Sequence, residues 1–138
     1  MAGDAERVAA LAKERYISLT TFRRDGTTAS TPVWVVSDDA QRLLVWSGAT
    51  TWKVKRIRRD PRVRVAASDA RGNIRGEQID ATARLLGPGA GDLVQGLLRQ
   101  KYGLLKRSLD AFNSLMRLIS RKPKSQSEYI EIRPRAAD

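Results

Sequence analysis

Between Ile17 and Arg133, hydrophobic residues repeatedly fall on every second position, in short runs that end at turn-forming segments. That period belongs to strands half-buried in a sheet; a helix would repeat its apolar residues every three to four positions. Ile17 and Leu19 alternate with Ser18 and Thr20 up to Phe22, and Asp25-Gly26 is a strong hairpin signal. A second run, Thr28 to Val36, contains Pro32, which has no N–H to give to a ladder and so implies an edge or an irregular site. Arg42 to Ser47, Val63 to Ala67, Ile79 to Leu85 and Tyr129 to Arg133 complete a set of six strands. The short turns between them predict an antiparallel meander.

Helical spacing fills the intervals. Asp4 can cap a first helix that carries Val8 and Leu11 on one face and ends near Arg15. Thr50 or Thr51 can cap a second, with Val54 and Ile57 inward, stopped at Asp60-Pro61. Gly87 to Gly91 breaks the chain, and two further helices are predicted near 91–101 and 107–120, followed by a basic polar loop, Ser120 to Ser127. The expected architecture is mainly β with helices (α+β): a small six-stranded antiparallel barrel with helices at its ends, forming a single domain over residues 1–138.

The chain has no cysteine and no histidine. Disulfides, thiolate nucleophiles, Cys/His metal sites and imidazole acid–base schemes are therefore excluded, and no metal site is expected. If the chain is an enzyme, its hard chemistry is expected to belong to a bound organic cofactor. Nowhere do 18 uncharged apolar residues run together, so no membrane segment is expected and a cytoplasmic location is the default.

The net charge of +11 is unevenly placed. Residues 1–52 are neutral, whereas residues 53–75 hold nine basic and two acidic residues, net +7. A second basic run extends from Arg99 to Lys124. Blocks of this kind suit an anionic partner such as a phosphorylated cofactor. A nucleic-acid partner is not expected, because the tryptophans mostly sit in apolar strands instead of among the arginines.

The most informative segment is Trp46-Ser47-Gly48-Ala49-Thr50-Thr51-Trp52-Lys53-Val54-Lys55-Arg56. A strand ends, a small-residue loop follows, and a helix begins with open N–H groups and the positive end of its dipole, a favourable seat for phosphate. Lys53 lies in the first turn, and Arg56, three residues on, can converge on the same anion; Lys55 points farther round. Ser30-Thr31-Pro32-Val33-Trp34 is the second feature. A proline-interrupted strand can accept a flat heterocycle, with Trp34 and Trp46 either lining its pocket or serving as barrel core. Asp69 and Glu77 near a turn carry no local sign of a catalytic role.

YISLTTFRRDGTTASTPVWVV, LLVWSGATTWKVKRIRRDPRVRVAASDARGNIRGEQIDATARLL, KYG and the closing YIEIRP together resemble the pyridoxamine-5′-phosphate-oxidase-like FMN-binding split barrels, and within them the F420-dependent flavin/deazaflavin oxidoreductases. The resemblance spans Tyr16 to Pro134. It implies a split barrel that binds coenzyme F420, or alternatively FMN, at the interface of a homodimer, and passes a hydride to a small-molecule substrate. It further implies that the ring packs along Thr31, Pro32, Val33 and Trp34 and against the strand ending at Ser47, with the phosphate gripped by Lys53, Lys55 and Arg56. No dedicated proton donor is identifiable, and a non-catalytic flavin, deazaflavin or haem carrier is the alternative reading.

Overall fold

The computed structural model describes residues 3–38, 41–103 and 127–135. In chain order the elements are α1 (Asp4–Ala10), a 3-10 turn (Leu11–Lys13), β1 (Tyr16–Phe22), β2 (Thr28–Trp34), β3 (Leu43–Gly48) and α2 (Trp52–Arg59). They continue with β4 (Arg62–Ser68), β5 (Ile79–Leu85), a second 3-10 turn (Pro88–Ala90), α3 (Gly91–Gly103) and β6 (Ser127–Pro134). The helix expected at 107–120, its following loop and most of the second basic run lie outside the described residues.

The six strands form one antiparallel curled sheet in the order β2-β1-β4-β5-β6-β3, an α+β split barrel. The hairpins β1–β2 and β4–β5 are sequential, but β1 also pairs with β4, and β3 pairs with β6. This corrects the meander expectation. Alternation specifies which face a strand buries, and it is blind to which neighbour completes the ladder. β2 and β3 are thus the two edges of the sheet, and Pro32 sits on an edge strand as its missing N–H requires. Just past β2, Val36 exchanges two backbone hydrogen bonds with Leu44 of β3 (3.0 and 2.8 Å), a single bridge that draws the two edges together.

The Asp25-Gly26 turn forms as expected. The Asp25 carboxylate accepts from the Thr27 N–H and hydroxyl (3.0 and 2.7 Å), and Gly26 takes the positive φ of 86° that glycine tolerates. α1 is shorter than expected, passing into the 3-10 turn after Ala10. Gly3 occupies its N-cap position, so Asp4 is not the cap; it lies inside the first turn and pairs with Arg7.

The alternating residues fill the barrel. Ile17, Leu19, Val45, Val63, Val65 and Ile132 are fully buried inside it, joined by Val8 and Leu11 from the N-terminal helical segment and by Val54 and Ile57 from α2. Each such side chain contributes about 1.5–3 kcal/mol by leaving water. A second, outer cluster forms where α3 lays Val94, Leu98 and Tyr102, spaced four apart, against Val36, Leu44 and Tyr129. A Cβ on Gly91, the first residue of α3, would lie 3.1 Å from the Tyr129 hydroxyl, so glycine permits this approach. Trp34 and Trp46 pack on this outer cluster and not in the barrel core.

Buried charge is compensated. The Glu131 side chain is only 5% exposed and meets Arg42 at 2.6 Å, Arg133 at 3.1 Å and Arg84 at 3.6 Å. Burial alone would raise its carboxyl, but hydrogen bonds from Arg42 and Arg133 outweigh it and hold Glu131 below the usual carboxylate range.

Candidate functional site

The edges of the sheet build a cleft. Pro32, Val33 and Trp34 of β2 form one wall, and Trp46, Ser47 and Gly48 at the end of β3 form the other. Lys53 of α2 and Tyr16 and Leu98 complete a cavity of about 330 Å³. The barrel register explains Tyr16, which lies directly across the ladder from Trp34. Trp34 is clasped between two tyrosine rings, Tyr16 at 6.3 Å and Tyr102 at 5.3 Å between centroids, both tilted.

Helix α3 fixes this wall from behind. The Tyr102 hydroxyl donates to the Arg15 carbonyl (2.6 Å) and accepts from the Val35 N–H (3.2 Å), and burial raises its pKa, so it remains a neutral donor. The neighbouring Lys101 ammonium donates to the carbonyls of Ala12, Glu14 and Val35 at 3.0, 2.5 and 2.6 Å. Burial pushes Lys101 down to about 8, opposed by the nearby Glu14 charge. Both residues therefore hold the end of β2 in place.

Two properties of the cleft point to its ligand. The first is the start of α2. Thr51 is the N-cap residue, yet its hydroxyl turns back to the Gly48 carbonyl (3.1 Å) and to Ser47 (3.0 Å), and no side chain caps the first turn. The leading N–H groups and the positive end of the helix dipole are left for an anion, beside half-buried Lys53. The second is a pair of orphaned donors. The indole N–H groups of Trp34 and Trp46 are buried without a hydrogen-bond partner, and both rings line the cleft. A planar ligand in the cleft would lie against both indole side chains. Residues present thus fit a phosphate-bearing heteroaromatic group. Among the described residues no cluster of three or more metal-ligating side chains exists.

Of the residues singled out in the sequence, Pro32, Val33, Trp34, Ser47 and Lys53 are brought together in this cleft. Thr31 is exposed and does not line it. Lys55 and Arg56 line a different hollow with Trp52, so the structure does not place Lys53 and Arg56 around one cavity. The hairpin end forms the other side of that hollow, with Arg23 and Arg24 facing the second half of α2 across it. Tyr16, Gly48 and Leu98 were missed. Tyr16 could have been found by counting the hairpin register back from Asp25-Gly26, whereas Leu98 arrives from a helix whose docking the sequence does not encode locally.

Among curated proteins, none matches this chain in sequence. Solved structures match in fold at low identity. A conserved hypothetical protein from Mycobacterium tuberculosis superposes with a TM-score of 0.65 at 20% identity, covering 99% of this chain and 82% of that one. An F420 reductase gives 0.58 at 19% identity, covering 92% of each. A FAD-binding protein from Mesorhizobium loti gives 0.59 at 18%, covering 98% and 90%. At these identities the likeness establishes the fold. The sequence profile described as pyridoxamine 5′-phosphate oxidase matches residues 4–134, nearly the whole described chain. On that match, and with the split barrel and its edge cleft in place, the chain belongs to the pyridoxamine 5′-phosphate oxidase family.

Proposed function

We propose that this protein is an oxidoreductase that binds the deazaflavin coenzyme F420, with FMN as the alternative, and reduces a small organic acceptor. The observation that carries this reading is the coincidence, around one cleft, of two indole side chains, an uncapped helix start and Lys53. The family includes oxidoreductases, and the fold neighbours include an F420 reductase and a FAD-binding protein. The choice of F420 over FMN is supported by the fold neighbour described as an F420 reductase; of the basic residues 53–75, only Lys53 lines the cleft among the described residues.

When bound, the cofactor supplies hydride-transfer chemistry. The chain's own residues bind and orient. Trp34 and Trp46 would flank the ring, Pro32 would leave the β2 edge open to it, and the apolar Val33 and Leu98 would exclude water. Ser47 and Thr51 shape the turn, and Lys53 with the α2 amides holds the phosphate. Among the described lining residues there is no carboxylate, and Tyr16, Ser47 and Lys53 carry exchangeable side-chain protons. The remaining parts of the proposal are a homodimer with the cofactor at the interface and a cytoplasmic location. No helix among the described residues is long and apolar enough to cross a membrane.

The same lack of a carboxylate favours a second reading, a non-catalytic flavin, deazaflavin or haem carrier. Haem is the weakest of these ligands, because the chain has no histidine or cysteine to offer the iron. Side-by-side titration with F420, FMN and haem, followed by assay of the reduced cofactor against a panel of quinones and enones, tests both. Tight F420 binding with turnover supports the oxidoreductase; tight binding without turnover supports the carrier; FMN bound more tightly than F420 sinks the deazaflavin assignment.

A further inference from the structure

A second hollow of about 360 Å³ lies between the β1–β2 turn and α2, lined by Arg23, Arg24, Trp52, Lys55, Arg56 and Arg59. It shares helix α2 with the tryptophan cleft but none of that cleft's lining residues. Among the described residues, none of its five cations forms an ion pair. Close by, Arg62 and Arg64 sit over the Phe22 ring at 5.3 and 5.2 Å, and there each arginine has its own carboxylate, Asp60 and Asp80. The contrast leaves the Trp52 cluster without a direct ion pair among the described residues, Asp25 and Asp60 acting on Arg23 and Arg59 only at longer range.

Its aromatic member is equally unusual. Trp52 is 69% exposed, the largest value among the exposed large hydrophobic residues. The Lys55 ammonium lies 4.6 Å from its ring centroid and the Arg56 guanidinium carbon 6.0 Å. Part of the frame is already fixed: Arg59 donates to the Phe22 carbonyl (2.5 Å) and Arg23 to the Thr28 carbonyl (2.8 Å). The side chains of Arg24, Lys55 and Arg56 hydrogen-bond to no other described residue.

An inorganic anion would neutralise the cations and leave the indole wet, and an apolar ligand would do the reverse. A molecule joining a planar ring to phosphates satisfies both, by stacking and by charge-assisted hydrogen bonds. We propose that this hollow is a nucleotide-binding site, with the base stacked on Trp52 and the phosphates held by Arg24, Lys55 and Arg56. It is separate from the cofactor cleft and stands whether or not the flavin-type reading holds.

Calorimetric titration of the full chain with ATP, inorganic triphosphate and a short single-stranded oligonucleotide tests it, with FMN titrated in parallel. ATP is expected to bind about tenfold or more tightly than triphosphate. Trp52→Ala should weaken ATP about fivefold or more, the lower end of losses when a base loses its aromatic platform. Arg24→Glu should weaken it about tenfold or more, and Lys53→Glu should leave it unchanged. Tighter binding of the oligonucleotide than of ATP assigns the site to single strands, and weaker binding assigns it to free nucleotides. Equal binding of triphosphate and ATP, indifference of ATP to both Trp52→Ala and Arg24→Glu in folded protein, or loss of ATP binding in Lys53→Glu would each overturn the proposal. FMN failing to bind while ATP binds as described would count against the cofactor reading alone.

Discussion

Charge reversal at Lys53 separates binding from folding more cleanly than any other change in the cleft. Lys53 is half-buried in the first turn of α2, whereas the residues that anchor that helix are Val54 and Ile57, both buried and both untouched by the substitution. A carboxylate in this turn interacts favourably with the helix dipole, by about 0.3–1 kcal/mol. Lys53 also makes an interaction of its own in the fold, so Lys53→Glu should lose some stability yet remain folded. The effect of the carboxylate on a bound phosphate is opposite in sign to its effect on the dipole. Losing one charge-assisted hydrogen bond costs about 1.5–3 kcal/mol, a factor of roughly ten to one hundred and fifty in the dissociation constant, before repulsion is counted. Thermal melts by circular dichroism would report the fold, and fluorescence titration with F420 and FMN would report affinity. A folded variant with unchanged affinity for both refutes the assignment of the phosphate to the start of α2.

Three further outcomes are expected. Glu131→Gln removes the carboxylate that Arg42, Arg84 and Arg133 meet, though Arg42 keeps Asp38, and should cost about 1.5–3 kcal/mol, read as a lowered denaturation midpoint. Because the folded carboxyl is held low, its contribution is complete above the unfolded value near 4.3 and is lost as pH falls below it, so wild-type stability should drop there more steeply than the variant's. Tyr102→Phe keeps the ring against Trp34 but orphans the Val35 N–H and the Arg15 carbonyl, for a loss of about 1–3 kcal/mol in chemical denaturation. Sedimentation at micromolar concentration should give twice the 15.4 kDa chain mass; a monomer that still binds cofactor tightly would contradict the interface reading.

The strands were legible in the sequence because Ile17, Leu19, Val63 and Val65 had to point one way and their neighbours the other, and Asp25-Gly26 marked where the first hairpin turns. Pro32 correctly marked an edge. The ladder partners were not legible: β3 reaches β6 across eighty residues, and no local pattern encodes so distant a pairing. The site divided along the same line. Trp34, Ser47 and Lys53 converge because a hairpin and a strand–helix turn, both local, place them. Arg56 shares its hollow with Arg23 and Arg24, thirty residues away in sequence, and helix angles alone could not decide which cleft it would face.

The bridge between Val36 and Leu44 leaves the sheet nearly a closed ring, fastened by two hydrogen bonds worth about 0.5–1.5 kcal/mol each. That is a weak clasp beside the long ladders on the opposite side of the barrel, and the cleft lies on the same seam. Anything that touches Pro32 on one lip and Ser47 on the other stitches the two lips together. Occupancy and ring closure are then one equilibrium: the ligand acts as the absent rung, closing the barrel by RT ln(1 + [L]/Kd), and the amides of Val36 and Leu44 become the place where that closure is felt as slowed hydrogen exchange.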